Sequence, residues 1–247
     1  MHKYGPICDE FYINMYLNTE MELPQNREAV LHFFEQVQKR FPQMTNFYTR
    51  ERGEYFLEEE KDGGSYRWVS AEARRLASGA VNPESIDDAV AQHVQVLELI
   101  PFELSMSHLD CESLNVTMGF DYTYRGNHHE LLAEVLGIPA ALESFAECPH
   151  TKMLGYEPSV ALCLDDECRT QCRVAFEPRS TAYQIRTGEF ADDALSVYMT
   201  VRRVDSLGSH EQFGSELRRL AKLCEKLVDT YLVEEVLQPL QKAITLK

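Results

Sequence analysis

The side chains best suited to chemistry in this sequence are the thiols and imidazole of residues 148–172, because thiolate sulfur and imidazole nitrogen are the usual ligands of zinc. The four candidate ligands are Cys148, His150, Cys168 and Cys172. Only Cys168 and Cys172 have the spacing with which structural zinc sites begin, and the Cys163-x4-Cys168 spacing is loose. Since free cysteine is also a common core residue, the spacing favours unligated thiols. We expect no metal and no other cofactor.

A second candidate is His128-His129-Glu130, since imidazole and carboxylate groups act as acids, bases and metal ligands. Asn127 precedes them and is a typical helix N-cap, which places Glu130 where it completes a capping box. Neighbouring helical side chains diverge by about 100°, so the two imidazoles do not reach one ion from there. The pattern therefore favours a structural cap over an active site.

Short motifs for nucleophilic catalysis and nucleotide binding are absent. The sequence has no G-x-S-x-G, S-x-x-K or Walker motif, and no G-x-G-x-x-G follows a predicted strand. Runs of carboxylates at 58–60, 165–167 and 192–193 lie where turns are expected. We expect no catalytic residue, although an active site assembled from distant residues stays open.

Tyrosines give the one positive indication of a function. Tyr12 and Tyr16 alternate with apolar residues near the start of the chain, as Tyr198 and Arg202 do near its end. If helices cover the apolar face of a sheet, these four side chains lie on its other face. Exposed tyrosine and arginine are typical of contact surfaces. Cross-strand packing on a solvated face explains the same pattern, so both interpretations remain.

The charge of the chain argues against nucleic acid and membrane partners. The 247 residues include 24 Lys and Arg against 40 Asp and Glu, a formal charge of −16 that is spread over both halves. Such a surface repels phosphate backbones and anionic headgroups, and no clustered basic patch offsets it.

The expected compartment is the cytoplasm. The first ten residues lack the apolar core of a secretory signal, and no apolar run approaches the roughly 18 residues of a membrane span. Seven cysteines, an odd number scattered along the chain, fit reduced thiols better than a disulfide framework.

Hydrophobic periodicity predicts the elements that position these residues. In the first half it predicts a strand at 11–17, a helix from the Asn26 cap to Pro42, strands at 46–50, 54–60 and 66–76, and a helix from Ser85 to Pro101. The second half has a strictly alternating strand at 114–124 and a helix after Asn127. Further strands are predicted at 159–165, 171–177, 181–187 and 195–204. A capping box of Ser209 and Gln212 then starts a long helix that Pro239 limits.

The order of elements therefore repeats, and it predicts an α+β fold built from a duplicated β-α-β(3-4)-α unit. We expect an antiparallel curved sheet with helices on one face and a long C-terminal helix. The repeats are predicted at 1–109 and 110–247, and they can form one pseudo-symmetric domain. At fold level only, this order resembles the helix-grip and TATA-binding-protein-like topologies. No motif residues of either family appear, and the acidic charge speaks against a DNA-binding use.

The sequence favours a non-catalytic binding or protein-interaction module that uses the exposed sheet face, with an unknown protein or small ligand as partner. The alternative is a small-molecule-binding or enzymatic helix-grip-like protein with a pocket between the C-terminal helix and the sheet. The closing helix has an apolar stripe near heptad spacing, which leaves homo-oligomers open as well.

Overall fold

The computed structural model describes residues 3–50, 53–146, 148–149, 151–208 and 212–247. The candidate zinc ligand His150 and the predicted cap Ser209 lie outside these ranges. The fold is α+β, with one antiparallel sheet and a long C-terminal helical region. No helix in the described ranges is long and apolar enough to cross a membrane.

Within the described residues, the first half forms five strands and two helices. They are β1 (Glu10–Thr19), α1 (Arg27–Arg40), β2 (Asn46–Arg50), β3 (Glu54–Glu58), β4 (Tyr66–Ala71), β5 (Arg75–Val81) and α2 (Ile86–Glu103). The second half follows a 3-10 turn at His108–Asp110. Its elements are β6 (Cys111–Tyr124), α3 (His128–Leu136), α4 (Ala140–Ala146), β7 (Ser159–Cys163), β8 (Thr170–Glu177), α5 (Ala182–Thr187), β9 (Asp193–Val204), α6 (Phe213–Leu227), a π-helical segment (Val228–Leu237) and α7 (Gln238–Thr245).

The nine described strands form one sheet in the order β2-β3-β4-β5-β1-β6-β9-β8-β7, and every neighbouring pair is antiparallel. The first strands of the two halves, β1 and β6, are therefore paired at the middle of the sheet. The strands β2 and β7 form its edges, and all five residues of β7 are exposed.

The core lies between the sheet and the helices on one of its faces. Alternate residues of β1, from Phe11 to Leu17, are fully buried on that face. Helix α2 contacts β1 and β5, while α6 contacts β6 and β9. Leu217 and Leu220 of α6 have no exposed surface. Burying a leucine side chain stabilises a fold by about 1.5–3 kcal/mol, so this layer contributes a large part of the stability.

Two predicted helix starts are confirmed by side-chain hydrogen bonds. The Asn26 side chain accepts from the Ala29 N–H at 2.8 Å, and the Ser85 hydroxyl accepts from the Asp88 N–H at 3.0 Å. The predicted end of α2 at Pro101 is wrong, since the helix continues to Glu103. A proline in the last turn removes only the one hydrogen bond that its own N–H would donate.

Two predicted strands are wrong. The run 66–76 is not one strand, because a turn over residues 72–74 separates β4 from β5, and the Glu72 N–H donates to the Arg75 carbonyl at 2.8 Å. The run 181–187 is the helix α5 and not a strand. A capping box between Thr181 and Gln184 starts α5, and Gly188 ends it in a left-handed conformation. Capping at both ends outweighs the strand propensity of this segment.

Pro239 does not end the C-terminal helix, in contrast to the prediction. The chain passes from α6 through the π-helical segment into α7, where Pro239 lies in the first turn. Proline removes the hydrogen bond that its own N–H would donate, and the helix continues past it without that bond. The start of α6 also differs from the predicted capping box: Gln212 is its N-cap and makes no side-chain capping bond.

A buried polar cluster joins α2 to β5. Gln92 Nε2 donates to the Ser78 hydroxyl at 2.9 Å and to the Gly79 carbonyl at 3.0 Å. His93 Nδ1 lies 3.0 Å from the same hydroxyl. Because His93 is fully buried, desolvation lowers its pKa to about 3. The imidazole is therefore neutral at physiological pH, with the Ser78 hydroxyl as its partner.

Candidate functional site

The candidate site is the sheet face opposite the helices, which we call the open face. It carries Tyr12, Asn14 and Tyr16 of β1, which alternate with the buried residues of that strand. The strand register places further residues there, namely Trp68, Gly79, Asn115, Thr117, Gly119, Asp121, Glu177, Tyr198, Thr200 and Arg202.

The register brings the four residues predicted from the sequence together in two pairs. Tyr12 and Tyr198 both lie opposite Gly119, one on each side of β6, and their ring centroids are 6.3 Å apart in an edge arrangement. Tyr16 and Arg202 both lie opposite Asn115. The face therefore has an aromatic row, and a mixed tyrosine and arginine row four residues away along each strand.

Two glycines let aromatic rings pack directly on the backbone of this face. A Cβ atom at Gly119 would lie 2.1 Å from the Tyr12 ring, and one at Gly79 would lie 2.2 Å from the Trp68 indole. Any side chain there would displace the ring, so both positions depend on glycine. Trp68 was not among the residues predicted from the sequence, although it alternates with the buried Val69 along β4.

One end of the open face combines tyrosines with carboxylates. The Tyr12 hydroxyl donates to Asp121 Oδ1 at 3.2 Å, and the Tyr198 hydroxyl donates to Glu177 Oε2 at 2.6 Å. Burial raises the pKa of Asp121 and of both tyrosines. Glu10 lies directly opposite Asp121, and its own burial, followed by the Asp121 charge, raises the pKa of Glu10. Sequence reasoning missed these carboxylates, because they lie on three different strands.

The other end of the face carries guanidinium groups. Arg202 donates from Nε and Nη2 to Gln171 Oε1 at 2.9 and 2.6 Å. The Arg75 guanidinium lies 5.7 Å from the centre of the Tyr16 ring, within the range of a cation–π interaction. The open face is therefore polar along its strands, with Glu10, Asp121 and Glu177 at one end and Arg75 and Arg202 at the other.

Between the two ends lie amides with unused hydrogen-bonding capacity. Asn14 is only 7% exposed, and its Nδ2 donates to the Tyr16 hydroxyl at 3.2 Å. The buried Oδ1 atoms of Asn14 and Asn115 have no hydrogen-bond partner among the described residues. Leaving a buried acceptor unsatisfied costs about 1–3 kcal/mol, so these two amides lower the stability of the fold locally.

The histidines at the start of α3 have a structural role. Both are buried, and Asn127 caps the helix by accepting from the His129 N–H at 3.1 Å. His128 Nδ1 accepts from the Arg179 N–H at 3.1 Å, and His129 Nδ1 accepts from the Tyr156 N–H at 3.0 Å. Burial lowers the pKa of His128. These two imidazoles therefore bind neighbouring loops. The predicted Asn127 cap is confirmed, whereas the predicted capping box with Glu130 is not formed in α3.

The candidate zinc ligands lie in different environments. Cys148 follows α4 and is exposed, Cys168 is exposed in the turn between β7 and β8, and Cys172 is buried on the helical side of β8. Among the described residues, which exclude His150, no three His, Cys, Asp or Glu side chains are placed to hold a metal ion. The structure therefore does not assemble these cysteines into one ligand set within the described ranges.

The space between α6 and the sheet is filled by buried side chains. Cys224 has no exposed surface, and its thiol lies 3.5 Å from the Met199 carbonyl. A cavity of about 800 Å³ lies elsewhere, between the end of α2 and the start of α6. Its walls include the apolar Phe102, Met106 and Phe213, with the polar His108 and Arg218 beside them.

No protein-family model matches the chain, and no curated protein matches it. The functional argument therefore depends on the geometry alone.

Proposed function

We propose that the chain is a non-catalytic binding module that engages a partner protein through the open face. The observation that carries the proposal is the pair of aromatic rings, Trp68 on Gly79 and Tyr12 on Gly119, in the middle of the sheet face opposite the buried core residues of the strands. Tyr198 extends this aromatic row. Tryptophan, tyrosine and arginine often dominate the binding energy of protein interfaces. Tyrosine and tryptophan in particular offer large contact areas for a small loss of conformational entropy.

The charge of the open face supports a protein partner. Its described strand positions carry five carboxylates and four arginines, namely Glu10, Glu54, Glu58, Asp121 and Glu177, and Arg50, Arg75, Arg173 and Arg202. Two loop cations also contact the face, since Lys61 pairs with Glu58 and Arg179 donates to Ser196. The face is thus nearly neutral on a chain of charge −16, so the acidic excess lies elsewhere and does not oppose docking. Its charged side chains favour a partner whose charges are complementary to theirs.

Site-specific photo-cross-linking tests this proposal. A photoreactive phenylalanine analogue at position 198 probes the open face, and the same analogue at Tyr231, which is 62% exposed on the C-terminal helical region, is the matched control. We expect one protein to be captured from position 198 and not from position 231. Excess unlabelled wild-type chain should abolish the capture.

The competition step identifies which surface the partner uses. We expect a Trp68→Ser competitor to lose most of its ability to block capture, while Phe145→Ser, which changes an aromatic residue that is 78% exposed on α4, competes as wild type does. Equal competition by both variants would refute the open face as the docking site. Capture of a second copy of the chain would refute a partner protein and indicate a homodimer. Unchanged circular dichroism shows that each variant is folded.

A small-ligand function is the second candidate, and the cavity between α2 and α6 favours it. This cavity is not where a helix-grip pocket is expected, but its volume of about 800 Å³ and its apolar walls suit an amphipathic molecule. Arg218 supplies a positive charge at its rim. A series of medium-chain carboxylates should raise the unfolding temperature of the wild type and not of Arg218→Gln; equal behaviour of both proteins would count against this candidate.

Two further points remain part of the proposal. We propose that the halves 1–109 and 110–247 arose by duplication in a TATA-binding-protein-like topology. The strand order supports this proposal. Counted outward from the middle of the sheet, one half has the order β1, β5, β4, β3 and the other has the corresponding order β6, β9, β8, β7. We also propose a cytoplasmic setting, which the seven free cysteines support.

A further inference from the structure

The strand β7 at one edge of the sheet has a backbone that is open to pairing. Its residues, Ser159–Cys163, are all exposed and include no proline and no charged side chain. The register with β8 runs along the whole strand without a bulge. Prolines, charged residues and bulges are the features with which proteins usually prevent pairing at a sheet edge. The sequence of β7 therefore does not protect this edge.

Backbone hydrogen bonds show which groups of β7 point away from the sheet. The Leu164 N–H donates to the Thr170 carbonyl at 2.8 Å, in the register that pairs β7 with β8. The carbonyl of Arg169, the residue before Thr170, instead accepts from the Val204 N–H of β9 at 2.9 Å. Backbone groups thus alternate in direction, and the even-numbered residues of β7 bond to β8. The N–H and C=O groups of the odd-numbered residues, with Ala161 at their centre, point outward.

Towards the helical side of the sheet, β7 presents apolar side chains. Leu162 lies opposite Cys172 of β8, which is buried on that side. Val160 points the same way, because side chains two residues apart in a strand share a face. Both Val160 and Leu162 keep more than half of their surface exposed. An added strand with apolar side chains at alternate positions would cover both residues.

The charges near β7 oppose a second copy of the chain at this edge. Three exposed carboxylates, Asp165, Asp166 and Glu167, follow the strand, and only Glu167 has an arginine beside it, with Arg169 Nε 3.2 Å from its Oε2. Glu157 is exposed before the strand. In an antiparallel pair of two β7 strands, Glu157 of one copy lies beside the carboxylates of the other. Like charges repel there, whereas a basic residue at the same place is attracted.

We propose that β7 is a docking edge for an extended segment of a partner protein, which adds to the sheet as a strand antiparallel to β7. The segment has basic residues at its N-terminal end, followed by alternating polar and apolar residues. Antiparallel alignment continues the pattern of the sheet and places the basic residues beside the carboxylates of 165–167. The other end of β7 already has a cation, since Arg173 Nε donates to the Ser159 hydroxyl at 2.9 Å. This surface is separate from the open face.

The geometry of β7 also determines which residues of the segment bond to it. Ala161 directs its N–H and C=O outward, and its side chain lies opposite Arg173 on the open face. Residues directly opposite each other in a sheet share a face, so the polar residues of the segment make the backbone bonds to β7. Its apolar residues, which cover Val160 and Leu162, direct their N–H groups away from β7.

Fluorescence anisotropy with a labelled synthetic peptide tests the proposal. The peptide begins with two arginines and continues with four threonine–valine pairs, and we expect wild type to bind it saturably. Ala161→Pro should weaken binding roughly tenfold or more, because proline removes an outward N–H and leaves the bonds to β8 in place. Ala161→Ser keeps that N–H and is the matched control, with an affinity within about twofold of wild type.

A second measurement changes only the peptide. N-methyl groups on the threonines should abolish binding to wild type, while N-methyl groups on the valines should leave it nearly unchanged, because only the threonine N–H groups face β7. Replacing the two arginines with glutamates should weaken binding roughly tenfold, since the carboxylates of 165–167 then repel the peptide. These peptides decide the question even if Ala161→Pro fails to fold, which circular dichroism reveals.

Several results would overturn the proposal. They are equal affinity of wild type and a folded Ala161→Pro, equal affinity of the two methylated peptides, and no saturable binding to wild type. A loss of binding in Trp68→Ser as large as that in Ala161→Pro would place the peptide on the open face instead. A wild-type dimer that Ala161→Pro converts to a monomer in sedimentation equilibrium would make a second copy the occupant of this edge.

Discussion

Acidification should destabilise this protein through one buried imidazole. His93 has no exposed surface, and burial lowers its pKa from 6.5 to about 3. As the pH falls below about 6.5 the unfolded chain binds a proton at this residue, whereas the folded chain does not until about pH 3. The stability contribution of neutral His93 is therefore complete above pH 6.5 and is lost as the pH falls towards 3.

The size of this effect follows from the shift in pKa. Below about pH 6.5, each unit by which the pH falls lowers the free energy of unfolding by about 1.4 kcal/mol. About 2 kcal/mol is therefore lost between roughly pH 7 and pH 5. His93→Asn keeps a polar atom near the position of Nδ1 but carries no titrating group. It should be less stable than wild type at pH 7 and should lack this part of the pH dependence.

Urea unfolding measures this difference, followed by circular dichroism and by the fluorescence of Trp68, the single tryptophan of the chain. The wild type should lose about 2 kcal/mol more than His93→Asn between roughly pH 7 and pH 5. His108→Asn is the control, since His108 lies outside the buried cluster, and it should keep the wild-type dependence. The reasoning is refuted if wild type and His93→Asn lose the same free energy, or if the His93 ring titrates near 6.5 in the folded protein.

Two substitutions test the packing on the two faces of the sheet. Gly119→Ala should destabilise the fold by about 1–3 kcal/mol, because its Cβ would displace the Tyr12 ring, whereas Gly155→Ala, with no atom within 4 Å, should leave the free energy of unfolding within about 0.5 kcal/mol. Leu220→Ala should cost about 2–5 kcal/mol in urea unfolding, since Leu220 is fully buried, while Leu142, which is 54% exposed on α4, should tolerate alanine with little loss. Equal effects within either pair would contradict the packing described for that face.

Sequence patterns predicted the fold class well where hydrophobic alternation was strict. The alternation over 114–124 predicted β6, and the apolar residues spaced three and four apart predicted α6. Turns and short helices that no hydrophobic pattern marks were harder to predict. The turn over residues 72–74 contains no glycine, proline or asparagine, so nothing in the sequence marks it. The helix α5 has only six residues, too few for helical periodicity to show.

The candidate site could be predicted only in part, because strand register is not visible in a single sequence. Alternation placed Tyr12 and Tyr198 on one face, but their common partner Gly119 follows from the pairing of β1, β6 and β9. The same holds for Trp68, because its indole packs on Gly79 only when β4 and β5 pair in this register. Sequence spacing set aside the Cys163 and Cys168 pair as a loose zinc motif, and the structure places both exposed residues at the connection between β7 and β8.

The exposed outer strand β7 has a consequence for how this chain behaves in concentrated solution. Val160 and Leu162 are 58% and 57% exposed there, and the outer edge of β7, opposite β8, has no neighbouring strand among the described residues. Such an edge strand can pair with a strand of another chain and so promote aggregation. The formal charge of −16 opposes that growth through mutual repulsion, which acts over about 10 Å at 0.1 M salt and about 3 Å at 1 M. The net negative charge therefore limits self-association of this protein through β7, and we expect high salt to remove that protection.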